Sequence, residues 1–83
     1  MKKTRKPAAR NLIGPRVRQM RLRAQPPVSQ EDLAGRLAAA GIAVDRSAIS
    51  RIENQDRYLM DYEISAIAKS LKVSVAELFG ESR

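Results

Sequence analysis

The 83-residue sequence contains no cysteine and no histidine. Without cysteine the chain cannot form a disulfide bond or a thiolate zinc site, and without histidine it lacks the commonest metal ligand and general base. It also lacks a phosphate-binding loop and the nucleophile elbow of the hydrolases. We therefore predict that the chain is not an enzyme and that it binds no cofactor and no metal.

Long apolar runs are missing as well, because the longest is far too short to cross a bilayer. The basic residues 1–10 are not followed by the apolar segment that a secretory signal requires. These features predict that the chain does not contact a membrane, and the absence of cysteine is typical of the reducing cytoplasm. At this length we expect one small domain, whose thin core leaves little room for a deep catalytic pocket.

Acidic residues are absent from the first 30 positions, which hold nine lysines and arginines. Residues 31–83 hold seven basic and nine acidic residues, so the N-terminal part supplies the whole net charge of +7. Such a segment suits a polyanion, because each phosphate that it neutralises releases condensed counterions; a solvated basic tail is the alternative. With one proline and little apolar content, residues 1–10 are predicted to be a flexible basic arm, and residues 11–83 a folded domain.

Apolar residues recur at helical spacing in five segments, and no segment shows the alternation of a β-strand. The first helix is expected to begin within residues 11–15 and to end near position 23. Before the second helix, Ser29 precedes Asp32 by three positions, which is the spacing of a capping box. Gly41 is the expected stop at the C-terminus of that helix.

The other three helices also begin at polar residues whose side chains can accept hydrogen bonds from backbone amides. Asp45 is the predicted N-cap of a third helix over residues 46–54, and Asp61 is the predicted N-cap of a fourth. Ser74 and Glu77 repeat the capping-box pattern before a short fifth helix. The predicted fold class is therefore all-α.

In the third predicted helix, polar and apolar residues fall on opposite sides when successive residues are placed about 100° apart around the axis. Its apolar side chains, Ala48, Ile49 and Ile52, share one side. The opposite side carries five hydrogen-bonding residues, here called the polar arc: Arg46, Ser47, Ser50, Arg51 and Asn54. Such a surface suits a partner rich in hydrogen-bond acceptors, although ordinary solvated charges and surface serines give the same pattern.

The aromatic side chains of the chain are Tyr58, Tyr62 and Phe79. Either tyrosine could stack on a base or pack at a dimer surface, and Phe79 could form a dimer contact. Covering the core is the role that we expect for all three.

Four ordered segments, "IGPRVRQMR", "SQEDLA", "RSAISRIEN" and "ISAIAKSLKVSVAELF", together resemble the phage-repressor and Cro-like (XRE-type) family of helix-turn-helix DNA-binding proteins. The resemblance covers about residues 12 to 80. It implies a compact five-helix lambda-repressor-like domain and a sequence-specific regulator of transcription that binds double-stranded DNA. A bacterial or phage repressor, or an antitoxin-like autoregulator, is the kind of protein expected.

The resemblance also implies roles for single residues, because the second helix of such a motif enters the major groove. Base contacts are expected from four residues of the third helix, Arg46, Ser47, Ser50 and Arg51. Contacts to the DNA backbone are expected from Ser29, Gln30, Asn54 and Arg57. In this family an arginine of the first helix often pairs with a glutamate late in the recognition helix, and Arg21 and Glu53 occupy those positions.

The sequence departs from the family at three places. Between Leu33 and Ile49 it has about five residues more than the usual motif, and "QPPV" is about two residues longer than the usual connection. Gln55 stands where a glycine often follows the recognition helix. We expect these changes in the loops to alter docking on DNA rather than the fold.

A single short helix reads few bases, so the resemblance predicts a homodimer on a pseudo-palindromic site, formed either in solution or only on DNA. The alternative function is a module that uses the same helical scaffold to bind a protein or RNA. A large preference for one DNA sequence at moderate salt would distinguish the first function from the second.

Overall fold

Five α-helices make up the secondary structure of the computed structural model, which describes residues 9–81. In chain order they are Gly14–Arg23 (α1), Gln30–Ala39 (α2), Arg46–Glu53 (α3), Asp61–Leu71 (α4) and Val75–Leu78 (α5). None of these described residues lies in a β-strand, which confirms the all-α prediction for them. The flexibility predicted for positions 1–8 of the arm lies outside the described residues.

Hydrogen bonds at the starts of α2, α3 and α5 confirm the predicted caps. The Ser29 hydroxyl accepts from the backbone amide of Asp32 at 2.9 Å, and the Asp32 carboxylate accepts from the Ser29 amide at 3.1 Å. Ser74 and Glu77 form the same reciprocal pair before α5. Asp45 accepts from an amide in the first turn of α3 at 2.8 Å. Each cap satisfies amides that have no partner within the helix.

The predicted cap of α4 is wrong by one residue. Met60 is the N-cap, and Asp61 is the first residue of the helix. The carboxylate of Glu63 accepts from the Met60 amide at 2.8 Å, which is the half of a capping box that needs no side-chain acceptor at the N-cap. The acidic side chain that caps this end of the helix therefore belongs to the residue three positions after the N-cap, and not to the N-cap residue itself.

The core consists of aliphatic side chains supplied by every helix. α2 packs against α3 and α4, α1 packs against α3, and α5 packs against α4. Burial of each large aliphatic side chain stabilises the fold by about 1.5–3 kcal/mol. The largest fully buried side chains are Ile13, Val17, Leu33, Leu37, Ile49, Ile52, Ile67 and Leu78.

The aromatic residues do not cover this core as predicted. Tyr58 and Tyr62 are 72% and 62% exposed, and Phe79 is 41% exposed. Their neighbours in the sequence take the inner positions, since Leu59 packs against the core and Leu78 is fully buried. The apolar space is thus filled by aliphatic side chains, and the larger rings stay outside.

Gly14 sets the close approach between α1 and the end of α3. A Cβ atom at this position would collide with the carbonyl oxygen of Ile52 and would lie 2.9 Å from that of Glu53. Only glycine therefore allows the first turn of α1 to rest on the last turn of α3. This contact fixes the end of the helix that carries the polar arc.

Candidate nucleic-acid interface

The polar arc of α3 faces solvent, as its helical spacing predicts. Four of its five residues are exposed and Ser50 is half-buried. On the other side of the helix, Ala48, Ile49 and Ile52 are 5%, 0% and 1% exposed. The helix is therefore held by one side, while the other presents two guanidinium groups, two hydroxyls and an amide.

A buried ion pair joins α1 to α3, and it is the pair that the resemblance implied. Arg21 and Glu53 are 6% and 7% exposed. The guanidinium of Arg21 donates from Nε to Glu53 Oε2 at 2.7 Å and from Nη2 to Oε1 at 2.9 Å. A bidentate geometry of this kind is the strong form of an arginine–carboxylate contact.

Two further hydrogen bonds complete a network around this pair. Arg21 Nη1 donates to the carbonyl oxygen of Val28 at 3.0 Å, and Gln30 Nε2 donates to Glu53 Oε1 at 3.0 Å. Every buried side-chain nitrogen or oxygen in residues 9–81 has a hydrogen-bond partner. The network ties α1, the segment before α2, the start of α2 and the end of α3 to one another, so the orientation of the polar arc is fixed from the inside.

The structure places the four residues expected at the DNA backbone in different surroundings. Asn54 is exposed directly after α3, and the exposed Ser29 uses its hydroxyl in the cap of α2. Gln30 commits one amide hydrogen to the buried network. Arg57 Nη1 lies 3.5 Å from Glu63 Oε2, with 28% of the Arg57 side chain exposed, so the charge of Arg57 is partly neutralised within the protein.

A junction that sequence reasoning missed joins the start of the domain to the loop after α3. The Asn11 side chain donates to the carbonyl oxygens of Ile52 at 3.1 Å and Arg57 at 2.9 Å, and it accepts from the Gly14 amide at 2.7 Å. Gln55 Nε2 donates to the Asn11 carbonyl oxygen at 3.1 Å. Apart from the bond between Asn11 and Gly14, these partners are more than 40 residues apart in the chain, so no local sequence pattern indicates them.

Arg10 belongs to the same junction, although we predicted from the sequence that it is part of the flexible basic arm. Its amide donates to the Gln55 carbonyl oxygen at 3.0 Å, and its guanidinium lies 3.8 Å from the Asp56 carboxylate and 5.6 Å from the centre of the Tyr58 ring. Gln55 itself has φ of 63°, the left-handed conformation that explains why glycine is common at this place. The chain therefore enters the domain beside the C-terminal end of α3.

A shallow surface depression lies where α1, α2 and α3 meet; we call it the inter-helix depression. Its polar lining comes from Arg18 and Arg21 of α1, Ser29, Gln30 and Glu31 at the start of α2, and Arg46 of α3. Sequence reasoning gave Arg18 no role. The available signal was the lack of any acidic residue in α1, which leaves its basic residues without neighbours of opposite charge on the same helix.

Comparison of the chain with protein-family models, with curated proteins and with solved structures finds no match. The function is therefore inferred from the geometry of the described residues and from the sequence segments quoted above. In residues 9–81, none of the helices combines the length and the apolar character needed to cross a membrane.

Proposed function

We propose that the chain is a sequence-specific regulator of transcription that binds double-stranded DNA, with α2 and α3 as a helix-turn-helix motif. The observation that carries this proposal is the polar arc, which consists of four hydrogen-bonding residues on a short helix whose other side is buried and a fifth, Asn54, directly after it. The major groove of B-DNA admits one such helix, and its base edges offer acceptors to guanidinium and hydroxyl donors.

Arg51 is the residue that we expect to contribute most to base recognition. Its side chain is exposed and makes no ion pair within residues 9–81. A free guanidinium can donate two parallel hydrogen bonds to O6 and N7 of guanine, so the preferred site should contain a G·C pair opposite Arg51. Ser47 and Ser50 supply shorter donors and acceptors at neighbouring base pairs.

The internal network supports the same function through preorganisation. Because Arg21, Gln30 and Glu53 fix α3 to the rest of the domain, little conformational freedom of the backbone has to be lost on binding. The positive charge of the chain adds an attraction to phosphates that does not depend on sequence. Specific and non-specific affinity thus come from separate groups.

Selection of bound duplexes from a random pool, followed by gel-shift titrations, tests the proposal. We expect the selected duplex to bind at least about a thousandfold more tightly than a scrambled duplex at physiological salt. Equal affinity for both duplexes would contradict the proposal. Tight binding to single-stranded RNA or to an acidic protein, without any preference among duplexes, would favour the interaction module instead.

The selected site also tests the number of copies bound. We propose that two chains bind a pseudo-palindrome whose half-sites lie about one helical turn apart. Analytical ultracentrifugation of the saturated complex should give two chains per duplex. One chain per duplex together with an asymmetric selected site would contradict the homodimer.

A further inference from the structure

The inter-helix depression contains two arginines whose donors the protein does not use. Three of the other polar side chains there have partners within the protein, since Arg21 donates to Glu53 and Val28, Ser29 caps α2, and Gln30 donates to Glu53. In the described part of the chain, Arg18 and Arg46 form neither an ion pair nor a side-chain hydrogen bond.

Two cations in one depression repel each other unless an anion lies between them. Glu31 is the only acidic residue among those that line it, and it is exposed at the start of α2. One carboxylate cannot neutralise both arginines, and the depression therefore keeps a net positive charge. Its shallow, open form suits a small group carried on a larger surface rather than an enclosed molecule.

The angular positions on α3 separate Arg46 from Arg51. At about 100° per residue these two arginines stand roughly 140° apart, at opposite edges of the polar arc. Arg46 is the edge residue nearest to Glu53, whose carboxylate faces α1 and α2. Arg46 thus lies on the side of the depression, whereas Arg51 lies on the far side of the arc.

We propose that the inter-helix depression binds one phosphodiester group of duplex DNA through Arg18 and Arg46, an inference that rests on the proposed function. Guanidinium groups bind phosphate oxygens in a bidentate manner, and two of them from different helices fix the position of the phosphate. The contact sets the register of α3 in the groove. Arg46 accordingly contacts the backbone, in place of the base contact expected from the resemblance, and Arg51 reads a base.

The decisive experiment replaces each phosphodiester of the selected duplex in turn by an uncharged methylphosphonate. At one position in each half-site the wild-type chain should lose affinity about five- to tenfold at 0.1 M salt, which is the effect of one lost phosphate contact. The variant Arg18→Gln should bind the unmodified duplex more weakly, and the modification at that position should cost it clearly less affinity than it costs the wild type, because only Arg46 then remains to contact the phosphate.

Arg23→Gln is the matched control, because Arg23 is an exposed arginine on the same helix that does not line the depression. It should lose as much affinity as the wild type on the modified duplex. Additive losses for Arg18→Gln at every position, or equal behaviour of the two variants, would overturn the proposal. Urea unfolding of both variants verifies that neither substitution alters the fold.

Two more variants examine the other residues of the depression. Glu31→Gln should strengthen binding and steepen the dependence of log affinity on log salt, whereas Glu81→Gln, at an exposed residue outside the depression, should not. Arg46→Gln should weaken binding to all duplexes alike and reduce the slope of log affinity against log salt by about 1. A changed base preference for Arg46→Gln, or equal effects of the two glutamate variants, would count against the phosphate site.

The proposal and the function on which it rests fail in different ways. If the wild-type chain shows no preference for any duplex, the regulatory function is wrong. If it binds a selected duplex specifically but the Arg18→Gln losses are additive throughout, only the phosphate site is wrong.

Discussion

The two sides of α3 carry charged residues that differ in what surrounds them. Glu53 lies on the inner side and is 7% exposed, with three hydrogen bonds to its carboxylate from Arg21 and Gln30. Arg51, two positions earlier, is exposed and makes no ion pair within residues 9–81. A charge whose partners lie inside the protein fixes the helix, and a charge without internal partners is available to an external acceptor.

This difference separates effects on stability from effects on binding. Substitutions on the inner side should lower the free energy of unfolding and affect DNA only through the position of the helix. Substitutions on the outer side should leave unfolding unchanged and alter affinity or preference. The variants below test this separation, beginning with the largest expected effect.

Glu53→Ala should destabilise the domain by about 3–5 kcal/mol, because it leaves the guanidinium of Arg21 buried without its carboxylate. Glu81→Ala, at an exposed residue outside the network, is the control and should change stability by less than about 0.5 kcal/mol. Urea denaturation monitored by circular dichroism measures both. Similar midpoints for the two variants would show that the network contributes little to the fold.

Gly14→Ala should destabilise the domain by about 1–3 kcal/mol, since the new Cβ atom forces α1 away from the carbonyl groups at the end of α3. Gly35→Ala is a control that should change the stability of the domain in the opposite direction. Gly35 lies inside α2 with nothing within 4 Å of an added Cβ atom, so alanine should stabilise the helix by about 0.5–1 kcal/mol. Effects of the same sign would contradict the close packing of α1 on α3.

Arg51→Ala should weaken binding to the selected duplex by about 1–3 kcal/mol and relax the preference at one base pair, with an unchanged melting temperature. Lys69→Ala, at an exposed residue of α4, is a control for the loss of one positive charge. Fluorescence anisotropy with the selected duplex and its single-base variants measures both properties. An equal loss on every duplex would assign Arg51 to the DNA backbone.

The smallest effect concerns the acid side of the pH profile. The backbone amide of Ser29 donates to the Asp32 carboxylate and, together with the Ser29 hydroxyl, holds the pKa of Asp32 below its ordinary value of 3.8. Between the lowered pKa of the folded chain and the ordinary pKa, the unfolded chain binds the proton more readily than the folded chain. The stabilisation from the Asp32 carboxylate is therefore present above the ordinary pKa and is lost as the pH falls through the lowered pKa.

Asp32→Asn removes this titrating group. On acidification from pH 7, the free energy of unfolding of the variant should therefore fall slightly less than that of the wild type. Urea midpoints at several pH values compare the two chains. Parallel profiles would show that the Ser29–Asp32 capping box makes no contribution that depends on pH.

Sequence reasoning succeeded where the determining contacts are short-range. The caps at Ser29, Asp45 and Ser74 involve partners three residues away, and the buried side of α3 follows from its periodicity. The pairing of Arg21 with Glu53 spans 32 positions, and only the resemblance to a family indicated it. Helix positions were thus predictable from local chemistry, and this tertiary contact was not.

The remaining features depend on contacts between distant segments. The side chain of Asn11 binds carbonyl groups 41 and 46 positions away, and the depression combines residues of three helices. The exposure of Tyr58 and Tyr62 was missed for a related reason, because aliphatic side chains from several segments, Leu59 among them, fill the core. Hydrophobic character alone does not decide which residue takes an inner position when several compete for it.

The order of the contacts along the chain predicts when the junction at Gln55 forms during folding. The contact between Arg10 and Gln55 encloses the one between Arg21 and Glu53, so the two closures are nested. Loop-closure entropy grows only as the logarithm of the free chain length. Once the inner contact has formed, the outer one has to order only the flanks of 11 and 2 residues, and it should therefore close last and open first. Native-state hydrogen exchange would then detect the Arg10 amide exchanging through a local opening, well before the amides in the middle of α3.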